Sequence, residues 1–128
     1  MNEEQEQKNA MTRPTWDEYF INFAQLTATR SPDSQTKVGC VLVHKNRVIS
    51  AGYNGFCTGV IDDDLPTSRP DKYPFMVHAE QNAISDAAQR GISLNRSTAY
   101  ITHYPCITCC KLLIATGIKE VKYLNDYK

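Results

Sequence analysis

The order of periodic segments predicts an α/β fold in three layers, α-β-α, around a mixed sheet. Three observations carry this. Val38-Gly39-Cys40-Val41-Leu42-Val43 is a short, nearly continuous apolar run and reads as a buried strand. Across Lys45-Asn46 it is followed by a second strand, Arg47 to Tyr53, so the first pair forms an antiparallel hairpin. After the hairpin, helix and strand patterns alternate, and strands joined by helical crossovers run parallel with right-handed connections. The full order, α-β-β-α-β-α-β, is that of one sheet covered by helices.

Each element has a local reason. Thr15 and Glu18 form a capping box, after which Trp16, Tyr19, Phe20, Phe23 and Leu26 follow helical spacing. This helix ends near Arg30-Ser31-Pro32, because the residue before proline disfavours helix. Asn54-Gly55 after the second strand marks a break with left-handed backbone. Phe56 to Val77 is a long irregular insertion with prolines at 66, 70 and 74; loops of this length in a compact domain are usually functional, often lids. Its Asp62-Asp63-Asp64 run reads as solvated charge. His78 to Arg90 is a helix with Ala79, Ala83, Ile84 and Ala87 as its apolar stripe, ended by Gly91. Ser97 to His103 is a strand in which Ala99 and Ile101 alternate with polar neighbours. Cys106 to Thr116 is a helix closed by Gly117, and Ile118 to Leu124 is the last strand.

Composition bounds the function. The chain has 128 residues, enough for one domain with a real core. Residues 1–13 are polar and without periodicity and read as a disordered tail, leaving 14–128 as a single domain. Lys+Arg and Asp+Glu both number 14, which argues against a protein that grips long nucleic acid. No apolar run resembles a signal peptide or a membrane span, so the expected setting is cytoplasmic and reducing, with the five cysteines free or metal-bound. Cys40 reads as core filler. Cys110 points about 100° away from Cys109 on their helix.

Two stretches carry the chemistry: His78-Ala79-Glu80 and, about 25 residues on, Pro105-Cys106-Ile107-Thr108-Cys109. Cysteines at i and i+3 share one helical face, and His78 completes three metal ligands. Three protein ligands leave a fourth position for water, the pattern of a catalytic rather than structural zinc site. Glu80 lies close enough to reach that water without binding the metal, as a general acid and base. Both clusters fall at helix N-termini, where the macrodipole favours thiolates. His103 is the rival ligand, but its place at a strand end favours a substrate-facing or hydrogen-bonding role. His44 is expected to be exposed.

The pairing of H-x-E with P-C-x-x-C resembles the signature of zinc nucleobase deaminases. From Trp16 onward the chain resembles the deoxycytidylate (dCMP) deaminases of the cytidine deaminase superfamily. The two metal motifs are common to the superfamily. Arg30-Ser31, Thr36-Lys37-Val38-Gly39, Gly52-Tyr53-Asn54-Gly55 and Lys72-Tyr73-Pro74 narrow the match. The resemblance implies a cytidine-deaminase-like fold and hydrolytic deamination of dCMP to dUMP. It implies one Zn2+ per chain held by His78, Cys106 and Cys109, with Glu80 as proton shuttle. It also places Asn54 near the sugar of the nucleotide. Arg30 and Lys37 are candidates for the phosphate, and Tyr104 for the base. Asn82 matches the motif and is expected to satisfy local hydrogen bonds. Some relatives carry a second zinc in the insertion; with only Cys57 there, none is expected here. Relatives often continue past the position of Tyr127, and the sheet edge is expected to be covered by a neighbouring subunit. The resemblance further implies a homo-oligomer, dimer or hexamer, and dCTP and dTTP as candidate effectors.

Two rivals stand beside this reading. One is a deaminase of another base: guanine, free cytidine or adenosine in tRNA. The other is a non-catalytic zinc module, which would normally show four protein ligands and no free carboxylate beside them.

Overall fold

Thr15 starts the first helix, α1 (Trp16–Ala28): its hydroxyl accepts from Glu18 N–H, and the Glu18 carboxylate accepts from Thr15 N–H. The computed structural model describes residues 12–57, 65–72 and 75–126. Most of the tail assigned to 1–13, the aspartate run 62–64, and Tyr73-Pro74 lie outside the described residues. After α1 come β1 (Gly39–His44), β2 (Arg47–Tyr53), α2 (Ala79–Gln89), β3 (Thr98–His103), α3 (Ile107–Ala115) and β4 (Glu120–Asn125).

The strands lie in the order β2-β1-β3-β4. β1 is antiparallel to both of its neighbours, and β3 is parallel to β4. The three strands linked by α2 and α3 therefore all run one way, as crossover connections require, and β1 alone runs against them. Helices cover both faces, which is why β1 is an unbroken apolar run. On one face Cys40, Leu42, Ala99 and Ile101 meet Ala79, Ala83 and Ala87 of α2 and Leu113 of α3. On the other, Val41, Val43 and Tyr100 meet Phe20 and Ala24 of α1.

Two expectations are corrected. Backbone with positive φ occurs at Lys45 and Asn46, not at Asn54-Gly55. Asn54 and Gly55 avoid that conformation because they remain paired: Asn54 N–H donates to Val38 O, and Gly55 bridges Val77. Nor does β3 alternate between apolar and polar surroundings. Tyr100 is buried under α1, and its hydroxyl donates to Asp17 at 2.6 Å. His44 is half-buried rather than exposed. β4 is an edge strand, with Val121, Tyr123 and Leu124 exposed.

Candidate metal centre and substrate cleft

His78, Cys106 and Cys109 converge where two helices begin. His78 is the N-cap of α2 and Cys106 the N-cap of α3. Both adopt the extended backbone usual at that position, so their side chains project from the helix mouth. The entry to α2 is pinned three ways. Val77 pairs with Gly55, the Gln81 side-chain oxygen accepts from His78 N–H at 3.0 Å, and Asn82 Nδ2 donates to Tyr53 O at 2.8 Å. The last contact differs from the local role expected of Asn82: it ties the helix to the end of β2, 29 residues earlier in the chain. The Pro-Cys turn before α3 is held by Tyr104 N–H donating to Asn125 O at 2.8 Å.

The His78 Nδ1 atom lies 3.3 Å from Cys109 Sγ and 3.5 Å from Cys106 Sγ. A tetrahedral zinc with ordinary bond lengths would set nitrogen and sulfur about 3.5 Å apart, so the three donors fit this ion. Among the described residues they form the one cluster of three or more such side chains able to share a metal. Cys110 stands apart, with its sulfur toward Pro105 O. His103 is also outside the cluster, and its Nδ1 lies 2.8 Å from Thr102 Oγ1.

Glu80 is only 4% exposed and lies beside the Cys109 thiol. Burial, reinforced by this carboxylate, pushes Cys109 well above the usual thiol range. Both act against the thiolate that the helix N-terminus favours. A divalent cation bound here would outweigh them, because a coordinating thiol is deprotonated outright. Cys40, beneath the centre in β1, is likewise pushed up by burial and then by Glu80.

The centre opens into a cleft of about 620 Å³, within the range of small-molecule sites. It lies at the carboxyl ends of β2, β3 and β4, where open α/β sheets place their ligands. Asn54 lines it, but its side chain is engaged with the neighbouring loop. Its Oδ1 accepts from Val38 N–H at 2.8 Å, while Nδ2 donates to Thr36 O at 2.8 Å and to Asp33 at 3.4 Å. Tyr104 lines the cleft as well, with its ring edge-on to Tyr123. Arg30 and Lys37 do not line it. Arg30 is exposed beyond α1, and Lys37 turns its ammonium onto Ser31 O.

Among the described residues, the cations that line the cleft are Arg69 and Lys72. Lys72 is buried against Asp33, which also accepts from the backbone N–H groups of Gln35 and Thr36. Arg69 N–H donates to Gln35, and its guanidinium reaches Thr36 Oγ1. These contacts fold residues 65–72 back onto the 31–37 loop and build one wall of the cleft.

Residues 14–125 match the model of the cytidine and deoxycytidylate deaminase zinc-binding region. The chain belongs to this deaminase family. It is 39% identical to ComE operon protein 2 of Bacillus subtilis over 92% of this chain and 64% of the relative. It is 41% identical to a probable deoxycytidylate deaminase of Drosophila melanogaster over 87% of this chain and 60% of the relative. The chain thus spans less than two thirds of these curated relatives. Among solved structures, the dCMP deaminase of cyanophage S-TIM5, in complex with dCMP and dUMP, superposes with a TM-score of 0.76 at 31% identity. That match covers 91% of this chain and 85% of the phage chain.

The family membership accounts for the two metal motifs. Arg69 escaped the sequence reading. The only signal for it was a cation inside a long insertion just ahead of α2, and nothing in the local pattern says that this insertion folds back onto the 31–37 loop.

Proposed function

We propose that the chain hydrolyses dCMP to dUMP and ammonia, with Zn2+ held by His78, Cys106 and Cys109. One observation carries this: a buried carboxylate, Glu80, sits against a His-Cys-Cys donor set at the head of a nucleotide-sized cleft. The likeness to a phage dCMP deaminase solved in complex with dCMP and dUMP supports the choice of substrate.

When bound, zinc supplies a Lewis acid that makes hydroxide available near neutral pH. Glu80 takes the proton of the attacking water and gives it to the ring nitrogen. Once the water oxygen has bonded to C4, Glu80 carries the remaining proton of that oxygen to the amine, so the C4–N bond breaks, ammonia leaves and C4 keeps a carbonyl oxygen. Burial keeps Glu80 from solvent and fixes it beside Cys109, ready for both transfers. Asn54 shapes the sugar end of the cleft by holding the 31–38 loop, and Tyr104 offers an aromatic face to the base. Arg69, rather than the candidates Arg30 and Lys37, meets the phosphate, since it lines the cleft and a guanidinium suits bidentate binding of phosphate oxygens.

The reading extends to a homo-oligomer of at least two chains in a reducing compartment, the cytoplasm, which suits thiolate ligands. Ile107 and Ile114, one above the other on α3, are each 74% exposed. A stable monomer in sedimentation at working concentration overturns the oligomer. The decisive test of function is ammonia release from dCMP, CMP, dCTP, deoxycytidine and guanine by the zinc-loaded protein. The expected result is a clear preference for dCMP. Preferential turnover of guanine or deoxycytidine overturns it.

A further inference from the structure

His103 ends β3 and lines the cleft beside Tyr104 and Cys106. It takes no part in the metal cluster. Its Nδ1 lies 2.8 Å from Thr102 Oγ1. Thr102 is only 4% exposed, and its oxygen already accepts from Gly39 N–H at 3.1 Å. A buried hydroxyl hydrogen needs an acceptor, and among the described residues the partner in place for it is His103 Nδ1. The imidazole nitrogen that accepts a hydrogen bond leaves the proton of a neutral ring on the other nitrogen. Thr102 therefore sets the Nε2–H tautomer of His103.

The neighbouring amides are already committed. Asn54 uses both ends of its side chain on the 31–38 loop, and Asn125 Nδ2 donates to Thr102 O at 3.0 Å. His103 Nε2 has no partner among the described residues.

We propose that His103 is a specificity-determining residue whose Nε2–H donates to an oxygen on the sugar-phosphate half of the nucleotide, with Thr102 as the positioning residue that fixes its tautomer. This rests on the nucleotide reading given above. A donor-only edge rewards an oxygen acceptor and offers nothing to a C–H group. The metal centre and Glu80 engage the base, so the acceptor is either the 3′-hydroxyl or a phosphate oxygen.

The test has two arms on the zinc-loaded protein. The first reads the ring directly, by 15N NMR of labelled histidine with and without dCMP. Nε2–H in the free protein and a shift of that nitrogen on adding dCMP are expected. An Nδ1–H tautomer, or no response to dCMP, overturns the proposal. This arm needs no turnover, so it stands apart from the test of the reaction itself: a protein that binds dCMP without deaminating it overturns the reaction and leaves the His103 assignment readable.

The second arm compares kcat and KM for His103→Leu, His103→Gln and Thr102→Val. A neutral hydrogen bond of ordinary strength predicts a KM for dCMP raised about 2- to 10-fold in His103→Leu with kcat little changed. His103→Gln, which keeps an N–H donor, should recover part of the loss. Thr102→Val should populate the other tautomer in the NMR arm. A loss seen with dCMP and not with deoxycytidine assigns the phosphate. A loss shared by both and missing for the 3′-deoxy analogue of dCMP assigns the 3′-hydroxyl. Unchanged KM for all three compounds overturns the proposal.

Discussion

The backbone of Gly52 in β2 lies directly against the backbone of Ala83 in α2. A Cβ on Gly52 would sit 2.4 Å from Ala83 N and 2.6 Å from Ala79 O. Backbone atoms cannot step aside as a flexible side chain can, so Gly52→Ala has to push α2 off the sheet. Overpacking of this kind costs about 1–3 kcal/mol. Because His78 heads α2, the expected outcome is a lower Tm together with weaker zinc retention, measured by thermal unfolding and by metal analysis after chelator challenge. A variant with unchanged Tm and metal content contradicts the packing argument.

Glu80→Gln keeps the shape of the side chain and removes its ability to take a proton. Turnover should fall by roughly 100- to 10,000-fold, with the fold intact and one zinc per chain retained. Cys109→Ala should instead lose both zinc and turnover. Activity and metal content measured on the same preparations separate the two roles, and near-normal turnover in Glu80→Gln removes the proton-shuttle assignment.

Arg69→Gln should lose about tenfold or more in kcat/KM for dCMP, the worth of a charge-assisted phosphate contact, and leave the slow turnover of deoxycytidine as it was. Arg30→Gln and Lys37→Gln should treat both compounds alike, since neither residue lines the cleft. A loss confined to dCMP in either of these two variants returns the phosphate contact to that side.

The Asp33–Lys72 pair makes stability depend on acid pH. Burial by itself would raise the Asp33 carboxyl, but the Lys72 ammonium and the backbone N–H groups of Thr36 and Gln35 outweigh it and hold the group below its ordinary value of 3.8. A carboxyl lowered in the folded state binds fewer protons there than in the unfolded chain. Its contribution is therefore complete above about pH 5 and is lost as pH falls through 3.8 and below. Denaturant midpoints taken from pH 7 down to pH 3 should fall. Asp33→Asn should cost on the order of 3 kcal/mol at pH 7 and flatten that acid dependence. An Asp33→Asn variant that is equally stable at pH 7 removes the pair from the account.

Much of the site was legible because its parts are local. A capping pattern, an i, i+3 cysteine pair and a carboxylate two residues from a histidine are short-range features, and each keeps its meaning when the chain folds. The Gly-Tyr-Asn-Gly stretch was visible as a motif, but the job of each residue was not. Gly52 admits α2, Tyr53 O receives Asn82, Asn54 ties down the 31–38 loop, and Gly55 pairs with Val77. All four are long-range contacts. The same reason explains the expected left-handed break at Asn54-Gly55: asparagine-glycine favours a turn locally, and pairing with Val38 and Val77 overrides that preference.

The sequence by itself determined the order of elements, the hairpin, the parallel course of the later strands and the set of metal donors, because hydrophobic periodicity and ligand spacing are written along the chain. Only the tertiary structure decided which cation of the described residues faces the cleft, which amides are already engaged, and which side chain meets His103 Nδ1. Those depend on what segments far apart in sequence bring to one point. Arg69 reaches the cleft because residues 65–72 fold back onto the 31–37 loop. Thr102 Oγ1 stands 2.8 Å from His103 Nδ1 while also accepting from Gly39, on the neighbouring strand.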